Sequence, residues 1–455
     1  MGIPYLKNLL NDIDTGVPSH WRRVVNMRQY FGHTVVVDTS LILRKGMGKI
    51  RSMKGDDIRS TDGKRSITHI HVLFYKVISF LNHGIKPVFV FDGCPPSGVK
   101  DEILSERREQ RKSDKENYEI AKKNGDEEKM KKYYGRLTTL GRTQVEKCKH
   151  LLSIMGIPYV HAPEESDSQC AALAMRPDVY GSVSDDTDLL IFGSPFLIRN
   201  LTNKYNKIPP DELNLVEIRK VLGIELSISD LTDKELIELY EKYDSDDCVE
   251  KYIQQKSQRR FVDLCILLGA GKISVIEGLN RQLALELIQN TGSLEGVIQE
   301  LQLRNKKVID DEKEPLYNIP SDYLESIQVK RSYLYGDSTN VFDPNEIDIS
   351  LHSPNIHQLR KFLVDELGFP DNEIDSILPT IITRYPEGTS PFDTTGMSID
   401  IKGMGTYHKR ININHHRNPS MNEVHFQKTH GRFQRMHWNP SWNEKYAKRI
   451  KHVHF

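Results

Sequence analysis

Apolar positions along this chain fall into two kinds of run. TVVVD at 34–38 and VFVFD at 88–92 are short, continuous and β-branched or aromatic, as expected of strands buried on both faces. Elsewhere apolar residues recur at helical spacing. MGIPYLKNLL opens the chain as a short amphipathic helix, 68–82 predicts a second, and KCKHLLSIMGIPYVHAP at 147–163 reads as helix, glycine stop, strand and turn. Pro163 is placed to open a further helix, EESDSQCAALAM. YGSVSDD supplies another strand, and IFGSPFLIRNL a strand pair. Strands alternating with helices predict an α/β fold with a parallel sheet.

The polar stretches divide the chain. Residues 44–66, rich in Gly and cations, read as an irregular loop able to follow a phosphate backbone. Residues 100–150 form a charged helical region whose turn falls at Asn124-Gly125. Its apolar residues are too sparse for a buried helix pair, so it is expected to stand off the core. Residues 225–258 read as an insertion ending in the helix ELIELYEKY and a polar stretch, KYIQQKSQRR. FVDLCILLGAG and the helical QLALELIQ follow, and from about 303 the pattern becomes mixed and polar. The expected division is 1–99, 100–147 as a helical arch, 148–302 with the insertion, 303–400 as an extension of the core, and 401–455 as a tail.

Net charge is zero, yet residues 401–455 carry 11 Lys/Arg against 2 Asp/Glu and hold 8 of the 17 His, leaving −9 on the rest. An acidic body with a basic tail suits a metal site plus a polyanion contact. Trp438, Trp442, Phe426 and Phe433 interleave with the tail's cations. Five cysteines, odd in number and without CxxC, exclude a disulfide framework and a cysteine zinc site and fit a reducing compartment. The expectation is a soluble, intracellular protein.

Six acids then stand out: Asp38, Asp92, Glu165, Asp167, Asp186 and Asp188. In three of four places an apolar strand-like run delivers a carboxylate to its C-terminal end, where open α/β sheets hold ligands. Packed carboxylates repel unless cations neutralise them, and hard oxygen donors select Mg²⁺ or Mn²⁺. The residues point to a metal-dependent phosphodiesterase. On a regular helix Glu164 rather than Glu165 would share a face with Asp167, so both stay open on spacing alone. Asp186 and Asp188, as alternate residues of an extended segment, would share one face.

Together the strings MGI, VVVDTS, HGIKPVFVFDGCPP, KCKHLLSIMGIPYVHAP, QCAALA, SDDTDLLIFGSP, FVDLCILLG and LELIQ occur over residues 1–292. In these the chain resembles the eukaryotic and archaeal flap endonucleases, structure-specific 5′ nucleases of replication and repair. The resemblance implies a PIN-like α/β core with a central, largely parallel mixed sheet flanked by helices, a helical arch and a helical duplex-binding region. It implies two divalent metals held by Asp38, Asp92, Glu165, Asp167, Asp186 and Asp188, with Asp167 standing where the family has Glu. It favours Glu165 over Glu164, in a turn leading into the helix. It places Lys100 and Arg107 at the scissile phosphate and Gly2 and Arg51 near the DNA. Gly278 is the glycine that survives from the duplex-binding turn, beside which Lys272 and Arg281 are expected to contact phosphates as point charges. Arg44 replaces the family's base-stacking aromatic. The implied partner is DNA with a 5′ flap or junction, met by a monomer in the nucleus or wherever DNA is copied. The nearest string to a sliding-clamp peptide, QKTHGRFQ at 427–434, has His430 where an aliphatic is expected.

Two departures are adjacent. The family's Ser-Asp pair, whose Asp is a seventh carboxylate, is here Ala270-Gly271, and Asp263 nearby is not expected to substitute. The glycine-rich duplex-binding turn is reduced to Gly278-Leu279-Asn280-Arg281-Gln282 between 268 and 290. Three readings are left: a flap nuclease with weakened second-metal binding, a junction-binding protein with little or no turnover, and an enzyme of the same fold acting on RNA or another junction.

Overall fold

The computed structural model describes residues 3–383 except 4, 14–19, 95–100, 202–208, 243–245, 311–313 and 338–339. Strands β1 (Arg22–Val24), β2 (Thr34–Asp38), β3 (Lys86–Phe91), β4 (Tyr159–His161), β5 (Gly181–Val183), β6 (Phe196–Arg199) and β7 (Asp211–Asn214) form one sheet in the order β1-β7-β6-β5-β2-β3-β4. From β6 to β4 all pairings are parallel, whereas β7 runs antiparallel to β6 and β1 antiparallel to β7. β2 lies in the middle because its residues are apolar on both sides. Val36 joins Val88 and Val90 in one core, while Val35 and Val37 join Phe89 and Phe91 in the other.

Helices cover both faces. On one face α1 (Leu6–Ile13) lies in the same core as Val36; on the other are α2 (Thr39–Lys54) and α3 (Thr68–Asn82). The chain then leaves the sheet through α4 (Asp101–Lys123) and α5 (Glu127–Arg136), which pack on each other around the turn at Gly125, and returns through α6 (Arg142–Ile154). Next come α7 (Ser166–Ala174), the short α8 (Asp188–Ile191), α9 (Leu215–Val221), α10 (Asp233–Lys242), α11 (Asp246–Leu267), α12 (Arg281–Thr291) and α13 (Leu294–Asp310). α14 (Tyr323–Ser326) and α15 (Gln328–Leu334) close back on this face, and residues 356–383 pack on the α3 side.

Several local expectations change. Residues 44–54 are helical, not loop: α2 continues until Gly55 adopts the left-handed conformation (φ 77°) that ends it. Gly48 sits inside α2 because a Cβ there would come to 3.0 Å of the Gly135 carbonyl, so it serves close packing with α5 rather than flexibility. α7 begins at Ser166, not at Pro163. The segment 191–201 is the end of α8 followed by β6, not a strand pair, and KYIQQKSQRR continues as α11. Consequently Asp186 lies in a loop and Asp188 starts α8; neither is on an extended strand. The antiparallel edge formed by β1 and β7 adds two charged strands to the sheet.

Candidate nuclease site

Asp38 is the last residue of β2 and is 3% exposed; its Oδ1 accepts the Leu41 amide at 3.1 Å and so caps α2. Asp92 follows β3 and accepts from the Ser166 amide (3.2 Å) and the Ser166 hydroxyl (2.6 Å). The same hydroxyl lies 3.3 Å from Asp38 Oδ1. A hydroxyl has one proton, and the shorter approach gives it to Asp92. The Ser184 hydroxyl donates to Asp38 Oδ2 (3.0 Å) and accepts the Asp186 amide (3.1 Å), and Asp186 Oδ1 accepts the Asp188 amide (3.3 Å). Glu165 occupies the extended N-cap position of α7 and accepts from the Tyr333 hydroxyl at 2.7 Å. Asp167 stands in the first turn of α7.

Electrostatics show what this gathering costs. Burial, then the charges of Asp38, Asp186, Glu165 and Asp188, push the Asp167 carboxyl well above the usual carboxylate range. Burial and then Asp92 raise Asp38 to about 6. Burial also disfavours the charge on Asp92, but the Ser166 hydrogen bond and the Arg44 guanidinium outweigh it and hold Asp92 below its ordinary value. Such a set of hard oxygen donors fits a divalent cation, which would cancel the mutual repulsion. Among the described residues no group of three or more His, Cys, Asp or Glu side chains is arranged to hold a metal ion.

Other predicted residues fall in varied places. Arg44 stands 3.6 Å from Asp92 Oδ2, facing the acids. Arg51 makes two hydrogen bonds to Asp57 (2.7 and 3.0 Å) and lies 4.9 Å from the Tyr134 ring centre, tying α2 to α5. Glu164 accepts the Asn340 amide at 3.1 Å. Arg281 pairs with Asp12 at 2.7 Å, and Gly278 has φ 88°. Gly2, Lys100 and the tail from 401, including 427–434, lie outside the described residues, as do the side chains of Arg107 and Lys272.

Gly271 adopts φ 63°, and a Cβ built there would come to 3.2 Å of Leu334 Cδ1. Asp263 does not replace the missing carboxylate: it accepts the Leu294 amide at 3.0 Å and bonds Tyr335 and Arg331. Ser166, Ser184 and Tyr333 were not foreseen. The two serines carried a signal, since each lies within two residues of a predicted acid; Tyr333, 168 positions from its partner, carried none.

A mostly parallel sheet with acids gathered at its carboxyl edge defines an α/β fold whose ligand site lies at the strand ends. Comparison narrows this. The chain matches the XPG N-terminal domain over residues 1–114 and the XPG I-region over 156–271. Flap endonuclease 1 of Homo sapiens is 32% identical over 377 residues, covering 83% of this chain and 85% of that protein. That of Uncinocarpus reesii is 31% identical over 351 residues, 77% of this chain and 78% of that protein. Among solved structures, flap endonuclease-1 from Methanococcus jannaschii aligns with a TM-score of 0.52 at 24% identity, covering 82% of this chain and 98% of that one. The catalytic core of Rad2 in complex with DNA substrate aligns at 0.55 and 20% identity, covering 84% and 100%. The chain belongs to the flap endonuclease family of structure-specific 5′ nucleases.

Proposed function

We propose that the acid edge hydrolyses DNA phosphodiesters at single-strand/duplex junctions, with Mg²⁺ or Mn²⁺ held in two sites by Asp38, Asp92, Glu165, Asp167, Asp186 and Asp188. The carrying observation is the gathering of carboxylates at the strand ends: the Ser166 hydroxyl lies between Asp92 and Asp38, the Ser184 hydroxyl between Asp38 and the Asp186 amide, and four other carboxylates push the Asp167 carboxyl up. Bound there, divalent cations supply an activated water at neutral pH and stabilise the leaving oxygen. The chain's own groups do the rest. Ser166 and Ser184 fix the orientation of Asp92 and Asp38. Arg44 is placed beside Asp92 to receive a phosphate oxygen, and Lys100 and Arg107 are the candidate arch cations at the scissile phosphate. Arg281, Gly278 and Lys272 are the candidate duplex contacts.

Gly271 supports a second reading, a junction-binding protein with weak or no turnover, because no carboxylate stands at that position. A cleavage time course on a labelled 5′-flap DNA, with Mg²⁺ and Mn²⁺ titrated beside Asp186→Asn, separates the two. Cleavage at the junction that needs elevated metal and falls at least ~100-fold in the variant is the expected result, given that even an outer partner of a metal ligand costs 10–100-fold. Flap binding without cleavage at any metal concentration would establish the second reading. An RNA flap run in parallel reads the preference for A-form or B-form substrate.

A further inference from the structure

Helix α15 does two things at once near the acid edge. Its last residue, Leu334, packs its side chain where a Cβ on Gly271 would come to 3.2 Å of it, so α15 covers the position left without a carboxylate. The preceding residue, Tyr333, is 2% exposed and turns its ring edge-on to Phe192 at 5.6 Å. From there its hydroxyl reaches Glu165 Oε2 at 2.7 Å.

We propose that Tyr333 is a positioning residue for metal binding: its hydroxyl fixes the orientation of Glu165 and so restores, through one well-aimed ligand, affinity that the absent acid at 271 does not provide. The inference rests on the nuclease reading above. Three features carry it. The bond is short, and its donor is a buried phenol, so the side of Glu165 Oε2 that it engages is shielded from water. Glu165 sits at a helix N-cap with extended backbone, outside the regular turns that would otherwise limit its rotamers. The phenol itself is held by the edge contact with Phe192 and by its place on a helix, so it can impose a direction on the carboxylate. Partners that orient ligands in this way are worth roughly 10–100-fold in metal affinity.

The test is Mn²⁺ binding to the full chain without DNA, by titration calorimetry, alongside the metal-free melting temperature. Tyr333→Phe keeps the ring and removes only the donor. Its Mn²⁺ dissociation constant should rise about 10-fold, at the low end of that range, while the metal-free melt moves by no more than a few degrees. On flap DNA its KM should stay unchanged, and kcat should fall at limiting Mn²⁺ and recover at saturating Mn²⁺. Tyr333→His, which retains an N–H donor, should recover part of the affinity and keeps the test open should the Phe variant fold poorly. Tyr335→Phe removes a hydroxyl that bonds Asp263 and should lower the melt without altering Mn²⁺ binding.

An unchanged Mn²⁺ isotherm in Tyr333→Phe, with normal uptake by the wild type, overturns this inference alone. So does a loss of affinity that merely tracks a lower melt and is not recovered in Tyr333→His. A wild-type chain that takes up no Mn²⁺ overturns the nuclease reading together with it.

Discussion

Two parts of the same sheet bury carboxylates and treat them in opposite ways. At the antiparallel edge Asp211 and Glu212, 1% and 3% exposed, are met from within the protein. Asp211 pairs with Arg22 at 2.7 Å and with Arg199, while Glu212 receives Arg23 (2.8 Å) and the hydroxyls of Tyr30 and Tyr180 (both 2.8 Å). At the parallel, carboxyl-end edge Asp38 is also buried and Asp167 half-buried, but the partners given to Asp38 are a backbone amide and hydroxyls; other acids crowd it, with the half-exposed Arg44 standing beside Asp92. A buried acid with its own cation is a structural joint. A buried acid facing other acids is a demand for a cation from outside. His69 shows a third solution: both ring nitrogens lack hydrogen-bond partners, and burial, then Lys147, lowers its pKa to about 4, so it stays neutral.

The comparison can be broken most strongly at Glu212. Glu212→Ala takes the acceptor from the Tyr30 and Tyr180 hydroxyls and leaves Arg23 only Tyr180, and should cost about 3–5 kcal/mol in urea unfolding, as broken buried pairs do. Flap cleavage below the new midpoint should be unaltered; a loss of cleavage with intact stability would erase the distinction between the two edges. The effect at His69 should be nearly as large and depends on pH. Its folded pKa of about 4 lies below the unfolded value, so the unfolded chain takes up the proton first. The stability it allows is whole above about pH 6.5 and is lost as pH falls toward 4, at about 1.4 kcal/mol per unit. Unfolding of the wild type and His69→Phe at pH 7 and pH 4.5 should show a smaller acid loss in the variant. Smallest is the effect of the missing external cation. Mn²⁺ at a hundred times its dissociation constant should add about 2.7 kcal/mol to the wild type. Asp167→Asn should gain far less, and Glu212→Gln as much as the wild type.

What the sequence revealed follows the same division. Acids delivered by continuous apolar strands were visible, because burial on both faces leaves a compositional mark around Asp38 and Asp92. The charged strands RRV and DELN left none, since Arg22, Arg23, Asp211 and Glu212 satisfy each other only across the sheet. Residues 44–54 resembled a loop because Gly46 and Gly48 are poor helix formers and hid the helix-compatible Arg and Lys around them; Gly48 is explained only by the approach of α5. The acids at 186 and 188 were found from the motif, although the extended geometry offered for them was not the one adopted.

The contact at Gly48 also has a mechanical consequence. A Cβ on Gly135 would stand 1.9 Å from Ser52 Oγ and 2.7 Å from the Gly48 carbonyl, and Arg51 bridges the same joint between Asp57 and Tyr134. With α5 seated backbone to backbone on α2, the pair joins the sheet at Asp38, which ends β2 and caps α2. Asp38 is thus the foot shared by the sheet and the α2–α5 pair, so a shift of that pair would carry a carboxylate with it.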